Sequence, residues 1–211
     1  MGLFRKERKE NDDVVQRLSS QAGHIIAMLK DVFHTAQGLD HWKALLYASG
    51  LAGFACHQAV KANHESFVVV ETNAGRKYFF GDDVNKYLLE DKYSVLCFMN
   101  GIYEHVCPGK AAPDIHGVIK NAVSVIGNGD YKIWNVYVPE EVYKEIKSCW
   151  DGIYENMTAK YCKNPSEWPV LYGIVLQNIM LEAMKAVSPE NVYIAALECA
   201  LYISKMDVES L

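Results

Sequence analysis

Long apolar runs are missing from this chain. A bilayer-spanning helix needs about 18 consecutive apolar residues, and an uninterrupted candidate, residues 170–176, ends at Gln177 and Asn178. No membrane segment is expected. Behind Met1-Gly2-Leu3-Phe4-Arg5-Lys6 there is no apolar signal-peptide core. The Ser or Thr that an N-myristoylation motif wants at position six is Lys6. Excess basic charge is missing too. Lys and Arg number 21 against 26 Asp and Glu, a formal net charge of -5, so general nucleic-acid binding is not expected. Proline is scarce, with 6 in 211 residues, while 50% of the residues are hydrophobic. That composition builds a sizeable core and excludes intrinsic disorder, collagen-like fibres and low-complexity repeats.

Six cysteines (Cys56, Cys97, Cys107, Cys149, Cys162, Cys199) would suit three disulfides in a short secreted chain. Here no secretion signal is found, and four of the six fall inside apolar helical patterns. Reduced, mostly buried thiols and a cytoplasmic location are the expected reading.

The pattern predicts a mainly α fold, a single-domain helical bundle with a small β-hairpin. A charged tail (1–11) precedes one domain (12–211). Over 12–33, Leu18, Ala22, Ile25, Leu29 and Val32 form one stripe of an amphipathic helix ending at Gly38. Asp40 is placed to cap the next helix, 40–63. That helix carries an alanine stripe (Ala48, Ala52, Ala55, Ala59, Ala62) with Gly50 and Gly53 beside it. Each helical Gly costs about 0.5–1 kcal/mol against Ala, so something must offset it. Close approach of another helix is one compensation, which makes this the central helix. A pocket floor, with room for a ligand over Gly50, Gly53 and His57, is the other.

Phe67-Val68-Val69-Val70-Glu71 and Arg76-Lys77-Tyr78-Phe79-Phe80 read as strands of a hairpin at 67–80, joined by Thr72-Asn73-Ala74-Gly75 with Gly at a positive-φ position. An isolated hairpin is marginal, and 131–138 is the candidate third strand. Further helices are expected over 82–90, 93–106, 113–126, 139–158, 166–187 and 189–206. Pro113, Pro139 and Pro189 are each read at a first helical position with an acid behind. The last two helices are apolar almost all round and should lie in the core.

Catalytic constellations are sparse. Cys56 and His57 are helix neighbours about 100° apart and cannot serve each other as a nucleophile and base. His57 and His64, seven residues apart, lie about 10.5 Å apart along a helix, too far for one zinc. No CxxC, HxxxH or carboxylate cluster completes a ligand set, so neither metal nor cofactor is expected. Gly81-Asp82-Asp83 resembles a polymerase turn, but a helix start explains it, with an Asp capping free amides. Gly127-Asn128-Gly129-Asp130 is turn chemistry, and P-loop, dinucleotide and nucleophile-elbow motifs are absent. Should the chain be an enzyme, His57, Asp82, Asp83 and Cys97 are the candidates, provided they converge in space.

Aromatics are plentiful, with 13 Tyr and 4 Trp. Tyr131, Trp134, Tyr137, Tyr143, Trp150, Tyr154 and Tyr161 fall in one region. On the 139–158 helix, Val142, Ile146, Cys149 and Ile153 make one apolar line, and Tyr143, Trp150, Tyr154 and Met157 make another beside it. One line suffices to anchor the helix. The aromatic line is therefore the candidate face for a protein partner or for a second copy in a symmetric homodimer.

The segment Gly50-Leu51-Ala52-Gly53-Phe54-Ala55-Cys56-His57-Gln58-Ala59, followed by Tyr78-Phe79-Phe80-Gly81-Asp82, resembles a group of uncharacterised bacterial proteins over residues 45–125. The resemblance implies a bacterial cytosolic protein and carries no functional residue with it. The leading expectation is a non-enzymatic protein that binds a partner, in the manner of an immunity protein, or itself. The alternative is a small-molecule sensor or carrier with its pocket over Gly50, Gly53 and His57.

Overall fold

The chain begins with an amphipathic stripe, and the computed structural model turns it into a helix of 31 residues, α1 (Gly2–Val32). The structure describes residues 2–72, 75–128, 131–133 and 137–206, with side chains from Val14 onward except that of Met157. Helix thus runs through the segment expected as a charged tail. Leu18, Ala22, Ile25 and Leu29 are buried, whereas Val32 is 65% exposed. The helix stops at Val32, short of Gly38. A two-residue ladder follows, β1 (His34–Thr35) against β2 (Gly38–Leu39), with Gly38 at φ +106°.

Helix α2 (His41–Ala62) starts as expected: Asp40 accepts a hydrogen bond from the Lys43 amide. Its hairpin is β3 (Val68–Glu71) antiparallel to β4 (Lys77–Phe80), in a register that opposes Val69 to Phe79. Gly75 has φ +75°, as the turn requires. The third strand is not where the sequence placed it. Ile133 bridges Tyr137, and it is Met206 that bridges Tyr78 on the inner side of β4. Asn73, Ala74, Gly129, Asp130 and Trp134 lie outside the described residues.

The remaining elements are α3 (Asp82–Asn85), continued by a π turn to Glu90; α4 (Val95–Val106); α5 (Ile115–Val125); α6 (Pro139–Ile153), continued by a π turn (Tyr154–Thr158) into α7 (Ala159–Tyr161); a 3-10 turn (Pro165–Glu167) leading into α8 (Trp168–Ala183); and α9 (Pro189–Lys205). The fold is mainly α with two small antiparallel sheets. Pro139 and Pro189 open their helices, but Pro113 precedes α5, whose cap position is Asp114. Asp82 and Asp83 sit within the first turn of α3 and make no side-chain cap bond. As first-turn acids they complement the helix dipole instead.

At the centre, α2 packs along α8 and α9. Helices α1 and α4 lie against α8, α5 lies against α9, and α6 lies on α2 and α9. Helices α8 and α9 are buried almost all round, as their composition predicts. The small residues of α2 explain the spacing: a Cβ on Gly53 would stand 2.2 Å from the Ala200 carbonyl oxygen of α9. One on Gly50 would meet Ile146 Cδ1 at 2.3 Å and Ile203 Cδ1 at 2.7 Å. Cys199 Sγ reaches the Leu46 carbonyl at 3.3 Å across the same contact. Close helix approach is what offsets the two glycines.

Candidate functional site

That contact leaves no open space over Gly50 and Gly53, because α6 and α9 fill it. His57 is fully buried, its Nδ1 3.1 Å from the Ser204 carbonyl oxygen, its ring stacked on Phe67 and met edge-on by Phe79. The pocket floor proposed from sequence is thus the α2–α9 seam. Cys97 is exposed near the start of α4, and Asp82 lies on α3 near Lys205. None of the clefts described below is lined by His57, Asp82, Asp83 or Cys97. Among the described residues no three His, Cys, Asp or Glu side chains are grouped to hold a metal.

The aromatic line of α6 turns inward, contrary to the interface expected of it. Tyr143 is 0% exposed and Trp150 8%. Trp150 meets Phe54 (ring centroids 4.8 Å), Tyr172 (5.7 Å) and Trp168 (6.4 Å) of the same chain. Tyr154 is half-buried against Trp168, and the Met157 side chain is outside the described residues. Trp150 and Tyr154 still reach the wall of a cleft of about 510 Å³ that they share with Phe54, Trp168, Gln58 and Lys61.

A second, more apolar cleft lies on the other side of α6, where the aliphatic line faces α1. Helix α1 rests on α8 while α6 rests on α2 and α9, so a strip of α2 between them is roofed by neither. The resulting cleft holds about 370 Å³. Leu29, Leu51, Ile146 and Ile153, all buried, make its floor. Met28, Val32, Phe33, Tyr47 and Cys149 make its walls. Gly152, with nothing within 4 Å of its Cβ position, and Asn156 stand at one end. At the other end Phe33 and Tyr47 touch (centroids 4.6 Å) and separate it from a second lobe of about 400 Å³. That lobe adds Lys43, Glu141 and Glu145 around Leu46, Tyr137 and Val142. The cleft is apolar along its length and charged at one mouth. From sequence, Leu29, Val32, Ile146, Cys149 and Ile153 read only as packing positions.

A buried polar tract also runs along α9. Glu198, Tyr202 and Lys205 recur at helical spacing on a core helix and are all buried. Burial raises the Glu198 carboxyl above its ordinary range, although Asn121 and Tyr131 oppose the shift by hydrogen bonding. Tyr202 Oη donates to Glu140 Oε1 at 3.2 Å, and the same oxygen accepts from Arg76 Nη1 of the hairpin at 2.9 Å. Burial pulls the Lys205 ammonium down to about 8, with Cys56 and Asp82 opposing, while Nζ donates to Asn85 Oδ1 at 2.8 Å. The interval of seven between Glu198 and Lys205 inside an apolar helix was the readable signal.

No helix of the described residues is long and apolar enough to cross a membrane. Compared with protein-family models, curated proteins and solved structures, the chain matches none.

Proposed function

We propose that the chain binds a small amphiphilic molecule in the cleft between α1, α2 and α6, and acts as a sensor or carrier of it. The observation that supports this is the cleft itself: a preformed apolar lobe of about 370 Å³ that adjoins, across the Phe33–Tyr47 contact, a second lobe edged by Lys43, Glu141 and Glu145. Small-molecule sites are commonly concave, roughly 300–1,000 Å³, mostly apolar, with a few polar groups that fix orientation. In this reading an aliphatic or aromatic body fills the first lobe. Its polar head lies in the second, where two carboxylates and one ammonium favour a head that donates hydrogen bonds.

The experiment is a thermal-shift series with decylamine, decanol and decanoic acid, each below its micelle concentration. A ligand at a hundredfold excess over its dissociation constant stabilises by about 2.7 kcal/mol. Decylamine and decanol should raise the midpoint more than decanoate does. Gly152→Leu should abolish the shift, since its new side chain enters the open end of the cleft. Leu is a better helix former than Gly, so this variant should keep its own stability. A folded Gly152→Leu protein that binds undiminished, or a wild type indifferent to all three probes, would overturn the proposal. The other reading from sequence, self-association, loses the aromatic line of α6 as its surface and gains a different one.

A further inference from the structure

We infer that β3 is a self-pairing edge, through which two copies of this chain join antiparallel into one four-stranded sheet. Strand β3 ends its two-stranded sheet, and every residue of it is exposed: Val68 64%, Val69 50%, Val70 47%, and Glu71. Its partner β4 faces inward, bridged to Met206 and anchored by the buried Tyr78. The hairpin therefore stands on α9 with β3 outermost.

Backbone geometry says which groups are offered. The Thr72 amide donates to the Arg76 carbonyl at 2.8 Å, so Thr72 and Arg76 are a hydrogen-bonded pair. In an antiparallel ladder such pairs alternate. Val70 with Tyr78 and Val68 with Phe80 are then the next bonded pairs. Val69 and Glu71 consequently point their N–H and C=O groups away from β4, and none of the described residues pairs with them. An unpaired row of this kind is a template for another strand unless a Lys, Pro, bulge or covering element blunts it. Within 66–72 there is neither Lys nor Pro.

A second copy is the occupant that this row fits. A twofold axis through Val69 opposes Val69 to its own copy, Val68 to Val70 and Glu71 to Phe67, so each outward amide and carbonyl meets its complement. Glu71 is the one formal charge in 66–72, and it meets an aromatic ring rather than a like charge. The two Glu71 side chains end up four residues apart, about 13 Å at 3.3 Å per residue, beyond the Debye length of about 8 Å in physiological salt. Valine pairs on both faces are favourable cross-strand neighbours. A strand pair this short buries less than the roughly 1,200 Å² of a standard stable interface. The dimer is accordingly weak and depends on concentration.

Sedimentation velocity of the full chain over a concentration series tests this. Wild type should pass from monomer toward dimer as concentration rises into the hundreds of micromolar. Val69→Lys puts like charges opposite each other on the axis at a half-exposed position. It should weaken the dimer by roughly tenfold or more while leaving the melting midpoint unchanged. A cross-linking experiment stands apart from that variant's folding. Directly opposed, hydrogen-bonded residues have Cα atoms about 5.5 Å apart, within disulfide range. In a Cys97→Ser, Cys149→Ser background, Val69→Cys should therefore form a disulfide with its own copy on mild oxidation, whereas Lys77→Cys on β4 should not. A wild type that stays monomeric throughout, a dimer insensitive to Val69→Lys, or equal cross-linking from both positions would overturn the inference.

Discussion

Gly53→Ala sets two physical effects against each other, and the structure decides the sign. By helix propensity alone the change should stabilise α2 by about 0.5–1 kcal/mol. By packing it should do the reverse. The added Cβ would stand 2.2 Å from the Ala200 carbonyl oxygen, where ordinary contact begins near 3.4 Å, so α9 must retreat by more than 1 Å. The obstacle is backbone and has no rotamer to swing aside. Overpacking of a close-packed core costs about 1–3 kcal/mol and more where the neighbour cannot yield. The retreat would also lengthen the Cys199–Leu46 and His57–Ser204 contacts along the same seam. A net loss of about 2–4 kcal/mol is expected, a fall of roughly 4–15 °C in Tm for a chain of this size. Gly50→Ala should cost less, since the atoms it meets are the mobile Cδ1 ends of Ile146 and Ile203. Gly23→Ala, on an exposed stretch of α1 with nothing within 4 Å, should stabilise by about 0.5–1 kcal/mol. Urea denaturation followed by circular dichroism ranks all three. A Gly53→Ala protein as stable as wild type would refute the account of the α2–α9 seam.

Trp150→Ala removes a ring enclosed by Phe54, Tyr172 and Trp168. It should cost about 3–5 kcal/mol of folding stability and leave the sedimentation profile unchanged; a weakened dimer with an intact melt would return the aromatic line to the surface. Lys205→Met tests the buried ammonium. A folded-state value lowered from 10.5 to about 8 means that the native state binds its proton less tightly than the unfolded chain does. That contribution to stability is full above 10.5 and is lost as pH falls through 8. At pH 7 the buried charge costs about 3 kcal/mol, and Met avoids it at the expense of a hydrogen bond to Asn85 worth about 1 kcal/mol. The variant should be about 2 kcal/mol more stable than wild type at pH 7, with the gap closing toward pH 10 in parallel urea titrations; a gap that does not move with pH would refute it.

Element positions were legible because their signals are local. The Asp40 cap, the prolines at 139 and 189 and the Gly75 turn each satisfy backbone requirements within a few residues. Gly50 and Gly53 could be read as a close approach because glycine in a helix is costly and needs a compensating contact. The partner of β4 was not legible, because Met206 lies far along the chain and a single bridge leaves no periodic trace. Asp82 and Asp83 show a different difficulty. A capping side chain and a first-turn acid look alike in sequence and differ only in the backbone angles of one residue, here Gly81 at φ 171°.

The cleft was hidden for a related reason. Periodicity reveals that a helix has an apolar face but not which neighbour covers it. Helix α6 carries two adjacent apolar lines, which together are broader than one partner helix can cover. From sequence the aromatic side chains read as the surplus, since they favour interfaces. The structure gives them the core instead: Phe54, Trp168 and Tyr172 converge on Trp150 from α2 and α8, and a ring of that size gains most from full enclosure. The aliphatic line is then left facing α1, where Ile146 and Ile153 form the floor of the cleft, Cys149 is exposed and Gly152 has no side chain to close the gap. Because α1 docks on α8, it reaches no closer to α6 than the width of the cleft. The candidate ligand site is thus set by which neighbour each helix docks on, and a change at Gly152 should reach it without disturbing the seam beneath.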